Sequence, residues 1–450
     1  MIINTPDPAA SETISPETVG LKTIKTDLTI IGAGMTGMAA ALFATNRKIS
    51  TTLVGHHSAM NFASGIMDLM GVHPPGRQHD NPWKAIDQVR RDLPDHPFSK
   101  IGNSIIEGSL EELSEFLKDK LAYQRSRGKN VTIVTSVGTL KKTYMIPQTM
   151  WNGVTALEQK APTLIIDFFG MKLFSARQIA TSLEHQWPGI RSKTVEFPRS
   201  ELLEELHPEH VARSLDLLTN RIELADRIRP FVGDAQYIGL PALVGMYRSA
   251  EAVAELQRCL ERPIFEIPTP PISVPGIRLQ EAMINGLEAD ENFHSHSTMA
   301  TGIIEVPGRG FVTTIKGNNG NQTIESKTVL LATGRFLGKG LVASRMGIKE
   351  ALMNLHVEQP ESRQEWHRAS LFDPKGHPVN RAGIRTDSKF RPLNILGGAV
   401  MDNLYAAGSI LAGSDWMRMK CGSGVAVATA LAAVRAIKGG NGYKMRPCFI

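Results

Sequence analysis

A chain of 450 residues, 42% of them hydrophobic and 21% charged, has an ordinary globular composition and enough length for two or three packed domains. Fifty Lys and Arg against 44 Asp and Glu leave a formal charge of +6 spread along the chain, so nucleic acid is not implied and only a weak bias toward anionic substrates or an anionic membrane face remains. The three cysteines, Cys259, Cys421 and Cys448, are scattered without a CxxC pair, which argues against a disulfide framework, a zinc ribbon or an iron–sulfur cluster held by this chain alone and suits a reducing compartment.

In chain order, residues 1–26 carry Pro6, Pro8 and Pro16 without an apolar run and are expected to form a disordered extension rather than a signal peptide. The run Asp27-Leu28-Thr29-Ile30-Ile31-Gly32-Ala33-Gly34-Met35-Thr36-Gly37 then joins a buried-strand pattern to GxGxxG and to an alanine-rich helix over 39–46. Gly32 suits the tight turn, Gly34 lets the backbone approach a phosphate, and Gly37 permits close packing of helix on strand. The apolar stretch 28–44 approaches transmembrane length but contains this fingerprint, and no other stretch competes, so membrane association is expected to be peripheral. A second strand over 50–54 completes a Rossmann-like unit. Where such units place an acid on the cofactor ribose, this chain has Gly55, and no acid follows until Asp68. The ribose anchor is absent or supplied elsewhere, which makes a mononucleotide cofactor an option.

Further on, Leu110, Leu113 and Leu117 predict an amphipathic helix over 109–121, and 131–136 reads as a strand. A strand at 164–167, a capping box Ser175-Ala176-Arg177-Gln178, a helix to about residue 186 and a strand at 194–197 predict a βαβ unit. Helices over 210–220 and 250–259 follow, and then the proline-rich run 268–275, which excludes regular helix or central strand and is expected to be the return crossing into the first domain. Beyond a helix at 277–287, strands at 302–306, 311–315 and 323–326, separated by glycine-rich turns, predict an antiparallel meander. A buried strand at 328–331 ends in Ala332-Thr333-Gly334, and Asn403-Leu404-Tyr405-Ala406-Ala407-Gly408-Ser409 repeats the device. The expected fold class is α/β, a Rossmann-like flavoprotein domain (27–100 and 271–450) carrying the meander, with an inserted α/β middle domain (101–270).

Three strand-then-glycine signals, at Gly32, Gly334 and Gly408, fit flavoproteins in which the first strand end receives phosphate and the later ones border the rest of the cofactor. The last leads into Cys421-Gly422-Ser423-Gly424-Val425 and a small-residue helix over 426–437, whose N-terminus would offer donors to the negative charge of a reduced flavin.

The stretches 58–65 (Ser-Ala-Met-Asn-Phe-Ala-Ser-Gly, ending at Ser64 and Gly65), 268–280 ending Gly276-Ile277-Arg278-Leu279-Gln280, 340–350 and 403–425 resemble the B-subunit family of anaerobic glycerol-3-phosphate dehydrogenases, over about residues 27–438. Gly383-Ile384-Arg385-Thr386-Asp387 is also similar to fumarate-reductase-type flavoproteins. The resemblance implies a flavoprotein subunit, assigned FMN in the family with FAD as the alternative. It implies two partners in the same complex, a catalytic FAD subunit and an iron–sulfur, membrane-attached subunit, so that electrons from glycerol 3-phosphate reach the quinone pool. It also implies a cytoplasmic location, peripheral at the inner face of the membrane through the partner. The candidate cofactor-binding residues are Gly32, Gly34, Gly37, Ser64, Gly65, Thr333, Gly334, Asp387, Gly408, Ser409, Gly422, Ser423, Gly424 and Val425. Ser409 departs from the Asp that many FAD proteins place there, and Gly55 agrees with FMN. A free-standing flavin reductase or dehydrogenase and a flavin-containing scaffold subunit are the rival readings.

Arg345, Arg385 and Arg391 are candidates to clamp a phosphate, and Asp387 to accept from the flavin or to orient Arg385, against the plainer role of a solvated turn residue. His56 and His57 follow the second strand, and His356, His367 and His377 lie between the two late glycine turns; none has a spacing that selects it as a base. No metal site is expected.

Overall fold

The computed structural model describes residues 23–200, 204–317 and 320–440. The expected extension over 1–22, Cys448 and the turn residues Asn318 and Asn319 lie outside them.

Strand β1 (Thr23–Ile31) starts four residues before Asp27, because Thr23 to Thr26 pair with Thr323 to Ser326. Its second half, Leu28 to Ile31, is buried on both faces, as are all four residues of β2 (Thr51–Val54), the signature of parallel strands covered by helices. Between them runs α1 (Met35–Thr45), whose residues Met38 to Ala44 are at most 1% exposed. A helix apolar all round belongs in an interior, and α1 is covered by the C-terminal helix Gly422–Gly440, which the helix Asn103–Leu117 covers in turn.

The insertion follows. Strands β3 (Thr163–Phe168), β4 (Ile190–Val195), β5 (Tyr237–Pro241) and β6 (Ile264–Ile267) form a parallel sheet of order β4-β3-β5-β6. The sequence reading misses β5 and β6. Gly239 and Pro241 read locally as breakers, yet Gly239 sits in mid-strand because a Cβ there would lie 2.7 Å from Ile165 and 2.8 Å from Phe265. The helix expected over 210–220 is two, Pro208–Ser214 and Leu218–Val232. At the break, the Asp216 carboxylate accepts from the N–H groups of Tyr247 and Arg248, both at 3.2 Å.

The return helix Val274–Leu287 begins inside the proline-rich run. Pro275 stands in its first turn, where its missing N–H costs nothing, and Ser273 caps it by accepting from Gly276 N at 3.1 Å. Next come β7 (Phe293–His296), β8 (Ala300–Val306), β9 (Gly310–Gly317) and β10 (Gly320–Leu331), and after a long crossover β11 (Leu404–Ala406). The two strands expected at 323–326 and 328–331 are one. The first half of β10 pairs antiparallel with β9, and its last residues, Val329 to Leu331, pair parallel with β11. The five parallel strands stand in the order β7-β2-β1-β10-β11, which counted along the chain is 3-2-1-4-5, the doubly wound Rossmann order. The expected α/β Rossmann-like flavoprotein class with its meander is the class found.

The helix Asn103–Leu117 contributes Ile106, Leu110, Leu113 and Leu117 to the core of this large sheet. The strand expected at 131–136 is found over Val131–Val134, paired in a hairpin with Leu140–Thr143. A buried ion pair ties the return helix to the small sheet. Arg278 on the return helix donates to both carboxylate oxygens of Glu266 on β6, at 2.8 and 3.0 Å, and through Nε to Gly245 O at 2.8 Å; Glu266 also accepts from Val244 N at 2.9 Å. Their side chains are 4% and 0% exposed. Arg278→Ala leaves a buried carboxylate without its cation and is expected to lower the unfolding free energy by about 3–5 kcal/mol. Urea denaturation of the variant checks this, and an unmoved midpoint refutes it.

Candidate functional site

In a doubly wound sheet the ligand crevice opens where the strand order reverses, beyond the C-terminal ends of the strands. Here that is the gap between β1 and β10, bounded by Gly32 and by Thr333-Gly334. Gly32 turns the chain at φ +109°, and a Cβ on it would lie 2.3 Å from Ala332 O. Gly37 has even less room, since its Cβ would sit 1.7 Å from Gly32 O. The third turn closes the arrangement. Gly408, at φ +79°, lies so close to the start of α1 that a Cβ would meet Thr36 Oγ1 at 2.0 Å, and its N–H donates to Thr429 Oγ1 at 2.8 Å. Ser409 Oγ would be 3.5 Å from a Cβ on Gly334. Gly32, Gly37, Thr333, Gly334, Gly408 and Ser409 are thus brought together.

At the centre of this group the N-terminus of α1 is uncapped. Its first internal bond is Met38 N to Gly34 O at 3.0 Å, so the N–H groups of Met35, Thr36 and Gly37 have no intrahelical acceptor, and Gly34 supplies no side chain to take them. A Cβ on Gly34 would meet only the Ala59 side chain, at 3.9 Å. Two buried side-chain atoms have no hydrogen-bond partner, Thr333 Oγ1, which lies against Gly340, and Asn61 Oδ1, in the loop whose backbone meets Ser273. An open helix start and a glycine with space above it suit an anionic group such as a flavin phosphate.

Ser64 and Gly65 end a loop that runs from the glycine turn to the return helix. Gly65, at φ +75°, packs on Pro275 and accepts from Tyr123 OH at 2.6 Å, while Ser273 N donates to Asn61 O at 2.9 Å. The start of the C-terminal helix is more occupied than expected. Gly424 N donates to Asp68 O at 2.7 Å, Ser423 Oγ to Ile66 O at 3.4 Å, and Val425 N to Cys421 O at 2.9 Å, so segment 66–69 covers this side of the helix.

Asp387 closes its own turn. Its carboxylate accepts from Lys389 N and Arg391 N, both at 2.9 Å, and from Arg391 Nε at 2.8 Å, as short acidic side chains do in turns. Arg385 faces Glu358 at 3.9 Å instead. Arg345 and Arg385 line a separate groove with His356, whereas Arg391 stays with Asp387 and Asp402. His367 and His377 stack edge to face at 5.2 Å, His377 also accepting from Arg368 N, and His56 is exposed. The side chain of His57 lies outside the described residues.

Three groups escaped the sequence reading. Arg335, directly after Gly334, donates to the carbonyls of Asn380, Leu411 at 2.9 Å and Ser414 at 2.8 Å, tying two later loops to the second glycine turn. Burial pushes its pKa down to about 10, with Asp415 opposing. Lys100 Nζ donates to Thr386 O at 2.7 Å, and burial lowers its pKa. His96 is fully buried; its Nδ1 accepts from Phe98 N at 3.1 Å, which places the proton of the neutral ring on Nε2, where it meets no partner. The adjacent Arg335 is a signal the sequence offers; Lys100 and His96 find their settings only through distant segments. Cys421 is buried beside Ser414, and burial pushes its thiol up to about 12, which keeps it unreactive. No group of His, Cys, Asp and Glu among the described residues could hold a metal ion.

Burial, with His73 and the guanidinium charges of Arg381 and Arg335, pushes His96 down to about 3. The folded state therefore holds fewer protons than the unfolded one between that value and the unfolded pKa near 6.5. Stability is full above about pH 6.5 and declines as the pH falls toward 3, by at most about 1.4 kcal/mol per pH unit from this group. Denaturation curves across this range should show a shallower acid slope for His96→Gln than for the parent chain; equal slopes would assign the acid sensitivity to other groups.

A family model described as an FAD binding domain matches residues 27–425. The chain is 29% identical over 428 residues to the B-subunit of the anaerobic glycerol-3-phosphate dehydrogenase of Yersinia enterocolitica, covering 91% of this chain and 97% of that one. It is 27% identical over 448 residues to the protein of the same name from Aliivibrio fischeri, covering 91% and 95%. Among solved structures it is similar to the 3-ketosteroid delta1-dehydrogenase of Sterolibacterium denitrificans, with a TM-score of 0.41, 9% identity, and coverage of 92% of this chain and 99% of that one. The family match takes in all three glycine turns and runs through the insertion, and the chain belongs to the FAD binding domain family.

Proposed function

We propose that this chain is the flavin-binding subunit of an anaerobic glycerol-3-phosphate dehydrogenase, a complex that oxidises glycerol 3-phosphate to dihydroxyacetone phosphate and passes the two electrons to a quinone through an iron–sulfur partner. The observation that carries the reading is the meeting of three glycine turns around the open start of α1. The relatives, named as B-subunits, support a place in a multi-subunit complex, whose proposed partners are a catalytic FAD subunit and a membrane-attached iron–sulfur subunit. No helix among the described residues is long and apolar enough to cross a membrane, in keeping with attachment at the inner face through the partner.

A bound flavin supplies two-electron acceptance and one-electron release. The residues assigned to holding it are Gly32, Gly34, Gly37, Ser64, Gly65, Thr333, Gly334, Gly408 and Ser409, with Gly422 from the C-terminal helix. Met35, Thr36 and Gly37 would present backbone donors to the phosphate. Asp387, Ser423, Gly424 and Val425 are left out because their polar groups are engaged elsewhere. FMN is favoured over FAD at Gly55, where a Cβ would lie 2.6 Å from Ala33 N and no carboxylate awaits a ribose. The inserted domain is assigned to residues after Leu117, since the helix ending there packs with the large sheet.

Chromatography of the flavin released by acid should identify FMN. Gly34→Val should abolish flavin uptake while lowering stability by no more than about 1 kcal/mol, because a Cβ at this N-cap position meets nothing closer than the Ala59 side chain. Release of FAD would overturn the mononucleotide assignment, and full flavin content in the variant would reduce the glycine loop to a packing turn. In dye-linked assays the isolated chain should oxidise glycerol 3-phosphate at under about 1% of the rate restored by adding its catalytic FAD and iron–sulfur partners, a gap of about 3 kcal/mol in barrier. Brisk turnover by the chain alone would make it a complete dehydrogenase, and no gain on addition to the two partners would make it a scaffold.

A further inference from the structure

We propose that the groove beneath the hairpin Leu341–Ser344/Gly347–Glu350 binds a small phosphate-bearing molecule through Arg345, Arg363 and Arg385. The groove has a volume of about 590 Å³, within the range of small-molecule sites. Its floor is firm. Val357 and Trp366 are 6% and 7% exposed, and the Gln359 amide locks the hairpin onto them, accepting from Ile348 N at 2.7 Å and donating to Ile348 O at 2.9 Å. The hairpin tip turns at Gly347, at φ +126°, which carries Arg345 and Met346 over the groove.

The charges along it are only partly matched. Three guanidiniums face two carboxylates, Glu358 and Glu361. Arg345 makes no ion pair among the described residues. Arg363 lies 5.5 Å from the Trp366 ring centre and makes no ion pair among the described residues, and Arg385 reaches Glu358 only at 3.9 Å. One positive charge remains uncompensated before His356 is counted. Forked guanidinium donors suit the several oxygens of a tetrahedral dianion better than those of a monocarboxylate. Met346 on the rim, 91% exposed, offers the apolar cover that a bound molecule would gain.

The groove is close to the glycine turns but distinct from them. Glu358 N donates to Gly383 O at 2.8 Å, and the next residue, Ile384, donates to Ile410 O at 2.9 Å, so two strand spacings, about 10 Å, separate the groove from the Ser409 turn. The site therefore stands or falls independently of the flavin assignment, and flavin content, measured on the same samples, reports on that assignment alone.

Calorimetric titration of the full chain with inorganic phosphate, at an ionic strength held constant with chloride, tests the site. Saturable binding is expected, with acetate at least about ten-fold weaker. Arg345→Ala and Arg363→Ala should each weaken phosphate binding about ten-fold, and Trp366→Phe should retain it more fully than Trp366→Ala. Arg345 is exposed, so its variant keeps the fold. Heats no larger than those of chloride, equal affinity for acetate, or unchanged affinity in both arginine variants would overturn the proposal.

Discussion

Between Gly37 and the carbonyl oxygen of Gly32 there is room for a hydrogen atom and nothing larger. This approach lets α1 lie directly on the strand it leaves, and it fixes where the start of the helix points. The second turn is held against Gly32 by a similar lack of space at Ala332, and the third against Thr36. Each turn is located by a missing side chain on one partner and a backbone or hydroxyl oxygen on the other. The result is a rigid edge whose open side is decided by geometry rather than by charged groups, which suits a cofactor bound through its phosphate and backbone contacts.

The insertion is tied to this edge by Arg278 and Glu266. Two charges removed from water are expensive to bury, and their value here is directional, since the fork of Arg278 also reaches Gly245 and the carboxylate also takes the Val244 N–H. The return helix that carries Arg278 is the same one on which the loop ending in Gly65 rests. A single helix thus sets the position of the small sheet and one wall of the crevice.

The central parts were legible because they are local. Glycine spacing, an alanine-rich run and apolar strands of four or more residues sit side by side in the chain, and Gly32, Gly334 and Gly408 were readable as a set before their meeting was visible. What escaped depends on distance or on context. Strand β7, Phe-His-Ser-His, carries little apolar signal because it is an edge, half exposed. Gly239 looks like a breaker until Phe265 is placed beside it. Asp387 reads equally as a ligand or a turn former, and only the positions of Lys389 and Arg391 show that the turn takes it. Lys100 finds its acceptor on a residue 286 positions away, and nothing near it in the sequence foretells that.

The pairing of β1 with β10 also governs how the molecule is made. Thr23 lies opposite Thr323, so β1 waits for 300 further residues before its second neighbour exists. At ordinary bacterial or eukaryotic elongation rates that is about 15–60 s. The insertion, whose four strands all fall between residues 163 and 267, can close its own sheet on the ribosome during that interval. Throughout it, β1 presents an unpaired apolar edge and α1 lacks its covering helix, which is the last element described. The apolar surface of β1 and α1 thus stays uncovered until β10 and the C-terminal helix have been made.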